Sequence, residues 1–198
     1  MFVVTGITGK VGAIAATTLL NAGEQVRAVV RSEEKGAPWR ARGCKIAVVP
    51  EADDSAALAR AFAGAAGVFL MNPPNYDSAP DFADSRRRAE ASAKAIANVK
   101  PGRVVLLSTV GAQATEFNLL NWAQFYEPAL AATGVPVALL RAAWFMENAA
   151  WDVAGAREGR FDSYLQPLDH AIEMVSVHDI GRTVADLLRE DWSGVRTV

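Results

Sequence analysis

Cysteine, histidine and long apolar runs are scarce in this chain of 198 residues. A single cysteine, Cys44, excludes an internal disulfide and a metal cage built from cysteines. The two histidines, His170 and His178, lack a second histidine–carboxylate cluster, so the sequence predicts no metal site. No apolar run is long enough to span a bilayer, and the first residues lack the charged-then-apolar order of a signal peptide. We therefore expect a cytoplasmic protein without a membrane segment.

Neither sign of charge dominates, because the formal net charge is only −2 at pH 7. This balance provides no basic face for nucleic acid at the level of composition. The basic run Arg86-Arg87-Arg88 is interpreted as the solvated face of a helix. Hydrophobic residues make up 51% of the chain and charged residues 21%, which suits one α/β domain with a sizeable core.

Strand signals and helix signals alternate along residues 1–143. Apolar runs rich in β-branched residues predict strands, and helix-forming runs lie between them. Repeated β-α units imply right-handed crossovers, and hence an α/β fold with a doubly wound parallel sheet and helices on both faces. The predicted strands are 2–5, 25–30, 45–49, 67–71, 103–107 and 135–140, and the longer predicted helices are 13–22, 54–63, 81–99 and 119–133.

The remaining residues, 144–198, follow a different pattern. An aromatic-rich segment opens with Trp144-Phe145-Met146-Glu147-Asn148, and a short strand is predicted at 173–177. A final helix is predicted over about 178–189, with a cap near Ser176 or Asp179. We expect 144–198 to form a small lobe on the carboxyl edge of the sheet, and not an independent domain.

Three glycines follow the first predicted strand, in the segment Gly6-Ile7-Thr8-Gly9-Lys10-Val11-Gly12. The first glycine makes a tight turn, the second lets the backbone approach a pyrophosphate, and the third lets the next helix pack against the sheet. Amides at the helix N-terminus then face the diphosphate. An ordinary strand–helix turn is the alternative. The strand before the glycines and the helix after them favour a Rossmann-type dinucleotide site.

The tip of the second predicted strand carries Arg31, where an NAD-binding protein of this type has an acidic residue. A carboxylate there would repel a 2′-phosphate, whereas a guanidinium holds it with paired hydrogen bonds, and Lys35 could help. Glu33 and Glu34 follow Ser32, which predicts a capped helix with an acidic first turn. A solvated strand end is the alternative for Arg31. The position favours NADP(H) over NAD(H).

Four further segments carry motifs that, like the glycine segment, resemble those of one known family. They are residues 26–31, 107–112, 140–148 and 175–181. Together, over nearly the whole chain, they resemble the NmrA-like branch of the atypical short-chain dehydrogenase/reductase superfamily. The glycine segment is shared by the superfamily, while Trp144-Phe145-Met146-Glu147-Asn148 is much more specific to this branch. Its members include a regulator that binds dinucleotide without evident turnover, NADPH sensors, and small NADPH-dependent quinone and dye reductases.

The resemblance implies roles for particular residues. Those implied at the cofactor phosphates and adenosine ribose are Gly6, Thr8, Gly9, Lys10, Val11 and Arg31, and Gly12 and Lys35 complete this predicted set. Those implied along the adenosine and nicotinamide halves are Met71, Asn72, Pro73, Ser108, Thr109 and Val110. Relatives usually continue with a further strand and helices beyond the point that matches Val198, which leaves open whether the lobe is complete.

The usual catalytic pair of the superfamily, Tyr-x-x-x-Lys, is absent. Its lysine lowers the pKa of the phenol, so that the tyrosine can exchange a proton with a carbonyl or an alcohol. Pro80, Leu130 and Leu168 stand four residues after Tyr76, Tyr126 and Tyr164, and no lysine follows Lys100. Ser108 and Tyr126 remain as catalytic candidates. Ser108 is either a relic of the superfamily's catalytic serine or a strand end, and a core position is the favoured interpretation of Tyr126.

The absence of the Tyr/Lys pair limits the reactions that the protein can catalyse. Oxidising an alcohol needs a base and reducing an isolated ketone needs an acid, but a reduced quinone forms stable phenolates that water can protonate. Holding NADPH in contact with such an acceptor then suffices. The predicted function is hydride transfer from NADP(H) to quinones or similar electrophilic aromatics. The predicted substrate residues are Phe117, Trp144, Phe145 and Asn148, the aromatic ones forming a flat slot.

Two other functions are weighed against this one. A non-catalytic redox sensor, which binds the dinucleotide and changes its association with a regulatory protein partner, accounts for the missing pair equally well. An epimerase or dehydratase is disfavoured, because such enzymes use the same Tyr/Lys pair. The sequence marks no partner surface, and a homodimer stays open.

Overall fold

The computed structural model describes residues 1–75, 77, 79, 81–163 and 165–198. The strands are β1 (Phe2–Val4), β2 (Val26–Val30), β3 (Lys45–Val48), β4 (Gly67–Met71), β5 (Val104–Thr109), β6 (Val137–Ala142), β7 (Trp144–Phe145), β8 (Met174–Val175) and β9 (Val195–Thr197). The α-helices are α1 (Lys10–Asn21), α2 (Glu33–Ala41), α3 (Ser55–Phe62), α4 (Ala83–Val99), α5 (Ala123–Ala131), α6 (Val153–Arg157) and α7 (Val177–Arg189). Two 3₁₀ turns, Leu119–Trp122 and Met146–Asp152, precede α5 and α6.

Seven strands form one parallel sheet in the order β3-β2-β1-β4-β5-β6-β9. The chain builds outward from β1 to β3 and then restarts at β4 on the other side of β1. The doubly wound parallel sheet predicted from the sequence is thereby confirmed. The strand order reverses between β1 and β4, and open α/β sheets bind their ligands at such a reversal, beyond the carboxyl ends of the strands.

Apolar side chains cover both faces of this sheet, as a parallel sheet requires. One face packs against α1 and α7, through residues that include Val11, Leu19, Ile180, Val184 and Leu188. The other face packs against α3, α4 and α5, through residues that include Leu58, Phe62, Ile96, Tyr126 and Leu130.

The last elements of the chain belong to the main sheet and its helical layer. The sequence placed all of 144–198 in a lobe on the carboxyl edge. Instead, β9 pairs with β6 as the outer strand of the main sheet, and α7 packs beside α1. Strand β7 pairs with β8 in a separate two-stranded sheet. The difference arises because β9 pairs with residues 58 positions earlier in the chain, with Val195 opposite Val137, and no local sequence pattern reveals such a distant pairing.

Helix α7 lies directly against α1. Gly181 permits this closeness, because a Cβ built there would lie 2.6 Å from the Cβ of Ile14 and 3.1 Å from the carbonyl oxygen of Val11. The far end of α7 reaches the amino edge of the sheet, where Nη1 of Arg103 donates to the carbonyl of Leu188 at 3.0 Å. The two helices therefore run side by side in the same direction, and both begin at the carboxyl edge.

Two predicted helix starts are confirmed. Ser32 is the N-cap of α2, where its Oγ accepts from the backbone N–H of Lys35 at 3.3 Å. Ser176 is the N-cap of α7, where its Oγ accepts from the backbone N–H of Asp179 at 3.0 Å and its hydroxyl donates to the Asp179 carboxylate at 2.8 Å. His178 is exposed at this helix start.

No helix within the described ranges combines the length and the apolar character that crossing a bilayer demands. The same residues bring no three histidine, cysteine, aspartate or glutamate side chains together in a group that could hold a metal ion.

Candidate functional site

The glycine segment forms a tight turn between β1 and α1. Gly6 adopts a φ of +59°, and a Cβ there would lie 2.3 Å from Sδ of Met71 at the end of β4. A Cβ at Gly12 would lie 2.4 Å from the carbonyl oxygen of Gly6, so the first turn of α1 packs directly on the turn backbone. The amide of Gly9 donates to the same carbonyl at 2.9 Å. These contacts explain why glycine stands at the first and third positions.

The N-terminus of α1 is open. Gly9 is its N-cap and provides no side-chain cap, and the first turn carries no acidic residue. Thr8, Gly9 and Lys10 are exposed, while Val11 and Gly12 are buried against the sheet. Free amides and the positive end of a helix dipole favour an anion such as a pyrophosphate. This turn therefore fits the phosphates of a dinucleotide.

The end of β4 borders the same turn. Nδ2 of Asn72 donates to Oγ of Ser85, a buried residue in the first turn of α4, at 3.2 Å. Oδ1 of Asn72 is buried without a hydrogen-bond partner among the described residues. A buried acceptor without a partner costs free energy, which a donor from a bound ligand would recover. Pro73 follows and is half-buried. Asn72 therefore fits a ligand with N–H or O–H groups.

Two cations stand at the tip of β2. Arg31 and Lys35 are both exposed, and no ion pair or side-chain hydrogen bond to another described residue engages either one. Glu33 is held by Arg40 at 2.5 Å, so its carboxylate is directed along α2. Arg31 and Lys35 are thus available for an anionic ligand at this end of the edge.

A polar network that the sequence analysis missed lies at the ends of β5 and β6. The hydroxyl of Ser108 donates to Oε1 of Glu127 in α5 at 2.6 Å. Arg141, paired in register with Ser108, donates from Nε to Oε1 at 3.0 Å and from Nη2 to Oε2 at 2.6 Å. Its Nη1 donates to Oε1 of Gln113 at 3.2 Å. The sequence contains one signal of this network. Glu127 is the one charged residue of α5 and Arg141 is the one charged residue of β6.

The remaining catalytic candidate, Tyr126, lies in the core between the sheet and the helices. It is 2% exposed, and its ring meets the ring of Trp122 edge-on with centroids 5.7 Å apart. Burial raises the pKa of its phenol well above the usual range. Tyr76 and Tyr164 lie outside the described residues. Next to Ser108, Oγ1 of Thr109 donates to the carbonyl of Val110, whose side chain is exposed.

The predicted substrate residues make contacts in different parts of the structure. Phe117 is 67% exposed, and its ring centroid is 5.8 Å from that of Phe82, which also neighbours Phe125. Phe145 packs instead against the core beneath α1 and α7. Within the described ranges, no ring contact joins Phe117 to Trp144 or Phe145. Asn148 is half-buried in the 3₁₀ turn that follows.

The segment Trp144-Phe145-Met146-Glu147-Asn148 has a clear structural use. Its first two residues form β7, which pairs with β8 just before α7. Oε2 of Glu147 accepts from the backbone N–H of Val177, the first residue of α7, at 2.9 Å. A carboxylate at this place satisfies a free amide and interacts favourably with the helix dipole. The segment therefore holds the start of α7 in place.

We expect Glu147→Ala to lower the free energy of unfolding by about 0.5–2 kcal/mol, the usual effect of removing a helix cap. Urea unfolding followed by circular dichroism measures this change. Glu158→Ala, which removes an exposed carboxylate near the end of α6, is the matched control and should change the stability by less than about 0.5 kcal/mol. Equal effects of the two substitutions would contradict the capping role.

A parallel sheet with a reversed strand order and a glycine turn opening onto a helix N-terminus defines a dinucleotide-binding protein. A family model described as NAD(P)H-binding matches residues 6–191, and the chain belongs to that family. This agrees with the resemblance to NmrA-like reductases. No curated protein sequence matches the chain at a significant level.

Solved structures of similar fold span the whole chain. The Citrobacter sp. triphenylmethane reductase complexed with NADP(H) is similar at 20% identity with a TM-score of 0.87, covering 100% of this chain and 69% of that one. The NADPH-dependent quinone oxidoreductase of Escherichia coli complexed with NADPH is similar at 22% identity with a TM-score of 0.84, covering 99% and 68%. A nucleoside-diphosphate-sugar epimerase of Staphylococcus aureus is similar at 18% identity with a TM-score of 0.83, covering 100% and 70%. At such low identity the likeness shows the fold alone.

Proposed function

We propose that this chain binds NADP(H), in preference to NAD(H), and transfers hydride from NADPH to quinones or similar electrophilic aromatic acceptors. The observation that carries the proposal is the open N-terminus of α1 on the glycine turn, together with two cations at the tip of the neighbouring strand β2. These cations, Arg31 and Lys35, have no ion-pair partner among the described residues. The similar Citrobacter and Escherichia coli structures, a dye reductase and a quinone reductase complexed with NADP(H) and NADPH, support it.

The residues at the edge have distinct proposed tasks. The turn from Gly6 to Gly12 and the first amides of α1 hold the pyrophosphate. Arg31 and Lys35 hold the 2′-phosphate, and the residues proposed along the rest of the cofactor are Met71, Asn72, Pro73, Ser108, Thr109 and Val110. The proposed contacts of the acceptor are Phe117, Trp144, Phe145 and Asn148. In this proposal residues 1–143 bind the cofactor, and residues 144–198 contribute most of the contacts to the acceptor.

The proposed reaction needs no acid on the protein. Bound NADPH supplies a hydride. Its transfer to a quinone, followed by uptake of one proton from water, gives a hydroquinone and NADP⁺. The chain's own residues bring the two reactants into contact and orient them, which by itself accelerates a bimolecular step.

Loss of nicotinamide absorbance on mixing the protein with NADPH and an acceptor measures this reaction. The acceptors are a panel of quinones, azo dyes and triphenylmethane dyes, and the control is NADPH with the protein alone. We expect at least one quinone to accelerate the loss. Tight binding of NADPH without turnover of any acceptor would contradict the enzymatic function.

A non-catalytic redox sensor is the second candidate, and the position of Tyr126 favours it. Its phenol is buried in the core, and no lysine follows Lys100, so this residue cannot serve as half of a Tyr/Lys pair. A sensor predicts dinucleotide binding without turnover, together with a protein partner that is retained or released according to the redox state of the nucleotide. Co-purification with NADP⁺ and with NADPH distinguishes the two functions.

A further inference from the structure

Glu127 is the one charged residue among the buried polar side chains of the described chain, at 9% exposure. A carboxylate removed from water is costly unless it is paired and hydrogen-bonded. Arg141 supplies the pairing through Nε and Nη2, at 3.0 and 2.6 Å from the two carboxylate oxygens. The third bond to this carboxylate comes from Ser108 at 2.6 Å. Every partner of Glu127 in the described chain therefore donates to it.

The network determines what the Ser108 hydroxyl can do. A carboxylate that is ion-paired with arginine is ionised and only accepts hydrogen bonds, whereas a hydroxyl has a single proton to donate. The proton of Ser108 therefore lies on the line to Glu127. Ser108 is 4% exposed. Towards a ligand that reaches it, Oγ of Ser108 has only lone pairs to offer, so it accepts from an N–H or an O–H and does not donate.

The sheet places Ser108 on the side of the site away from Arg31. Strands β1 and β4 lie between β2 and β5 in the sheet. The distance from β2 to β5 is therefore three strand spacings, or about 14 Å at the usual separation of neighbouring strands. With the 2′-phosphate proposed at the tip of β2 and the pyrophosphate at the end of β1, the nicotinamide half extends towards β4 and β5. The donor that this half presents from its ring is the carboxamide NH₂ group.

We propose that Glu127 and Arg141 hold Ser108 as a hydrogen-bond acceptor for the carboxamide N–H of the nicotinamide. The proposal rests on the NADP(H) function argued above and assigns Glu127 as a positioning residue that acts through Ser108. It has a consequence for the reaction. A serine that already donates to a carboxylate does not protonate the reduced acceptor, so that proton comes from water.

The test compares NADP⁺ with its 3-acetylpyridine analogue, which carries a methyl ketone in place of the carboxamide and has no N–H to donate. Calorimetry measures the affinity of both nucleotides, without any acceptor present. We expect Ser108→Ala to weaken NADP⁺ binding about two- to tenfold, the usual effect of losing one neutral hydrogen bond, and to leave the analogue nearly unchanged. Ser92→Ala removes a buried hydroxyl from α4 and is the matched control; it should alter neither affinity.

The role of Glu127 is tested through Glu127→Met, which keeps the length of the side chain and removes the oxygen that accepts from Ser108. We expect this variant to lower Tm, because Arg141 loses its charged partner, and to lower the preference for NADP⁺ over the analogue, because the Ser108 hydroxyl is then free to donate. The double variant Ser108→Ala/Glu127→Met should lose no more preference than Ser108→Ala alone, since both residues act on one contact. If Glu127→Met does not fold, the Ser108→Ala comparison decides alone.

Three results would overturn the proposal. Ser108→Ala could weaken both nucleotides equally, which would make the hydroxyl a purely structural group, or it could weaken neither. A folded Glu127→Met that keeps the full preference for NADP⁺ would remove the positioning role. These results leave the NADP(H) function standing. Failure of the unsubstituted protein to bind either nucleotide is a different result, because it defeats that function itself.

Discussion

Replacing Arg31 with alanine is expected to weaken NADPH binding by about ten- to hundredfold and to leave NADH binding nearly unchanged. Arg31 is exposed at the tip of β2, where no described residue competes for its guanidinium. A guanidinium forms charge-assisted, paired hydrogen bonds with a phosphate, and NADH has no 2′-phosphate to lose. Titration of both nucleotides by calorimetry measures the difference.

Reversing the charge at position 31 should reverse the preference for NADPH over NADH. Arg31→Asp places a carboxylate that repels the 2′-phosphate and accepts hydrogen bonds from the free ribose hydroxyls of NADH. Arg60→Ala, which removes an exposed arginine from α3, is the matched control and should change neither affinity. Equal binding of NADPH and NADH by the unsubstituted protein, or equal weakening of both by Arg31→Ala, would show that Arg31 is a solvated strand end.

Gly12→Ala is expected to damage both the fold and the site. Its Cβ would lie 2.4 Å from the carbonyl oxygen of Gly6 and 2.7 Å from its carbonyl carbon, so α1 must move away from the turn. Overpacking of this kind lowers the free energy of unfolding by about 1–3 kcal/mol. We expect NADPH binding to weaken by roughly tenfold or more, the equivalent of one lost hydrogen bond to a charged group.

Gly9→Ala separates the two effects. A Cβ at Gly9 would lie 3.2 Å from the carbonyl oxygen of Gly6, a contact that a shift of a few tenths of an ångström relieves. We expect the stability to fall by less than about 1 kcal/mol, while NADPH binding weakens because the new methyl group obstructs the backbone that approaches the pyrophosphate. Urea unfolding and calorimetry on both variants measure the pair of changes. Unaltered NADPH binding by Gly9→Ala would remove the glycine turn from the cofactor site.

Local patterns in the sequence predicted much of the fold. The apolar runs gave the positions of β1 to β6, and the Ser32 and Ser176 caps were recognisable because a capping side chain acts within three residues of its own position. Strand β9 was missed, since its pairing with β6 depends on where the chain returns after α7. The three residues of β9 carry no pattern that shows which strand they will pair with.

The candidate site likewise has one part that could be predicted from the sequence and one part that could not. The glycine turn is a contiguous segment with a spacing of its own, so its geometry could be predicted. The contact between Ser108 and Glu127 joins residues 19 apart, and Arg141 reaches the same carboxylate from a third element. Such a network exists only once β5, β6 and α5 have packed together. The core position favoured for Tyr126 agrees with its 2% exposure, because an aromatic residue within an apolar helix has a strong preference for burial.

The parallel arrangement of α1 and α7 has an electrostatic consequence. Two helix dipoles that lie side by side in the same direction place their positive ends next to each other, and like ends repel. The chain offsets this end of α7 with the carboxylates of Glu147 and Asp179 but supplies no acidic side chain in the first turn of α1. A bound anion at α1 would remove the remaining repulsion, so the nucleotide is expected to tighten the packing of both helices across Gly181 as well as to fill the turn.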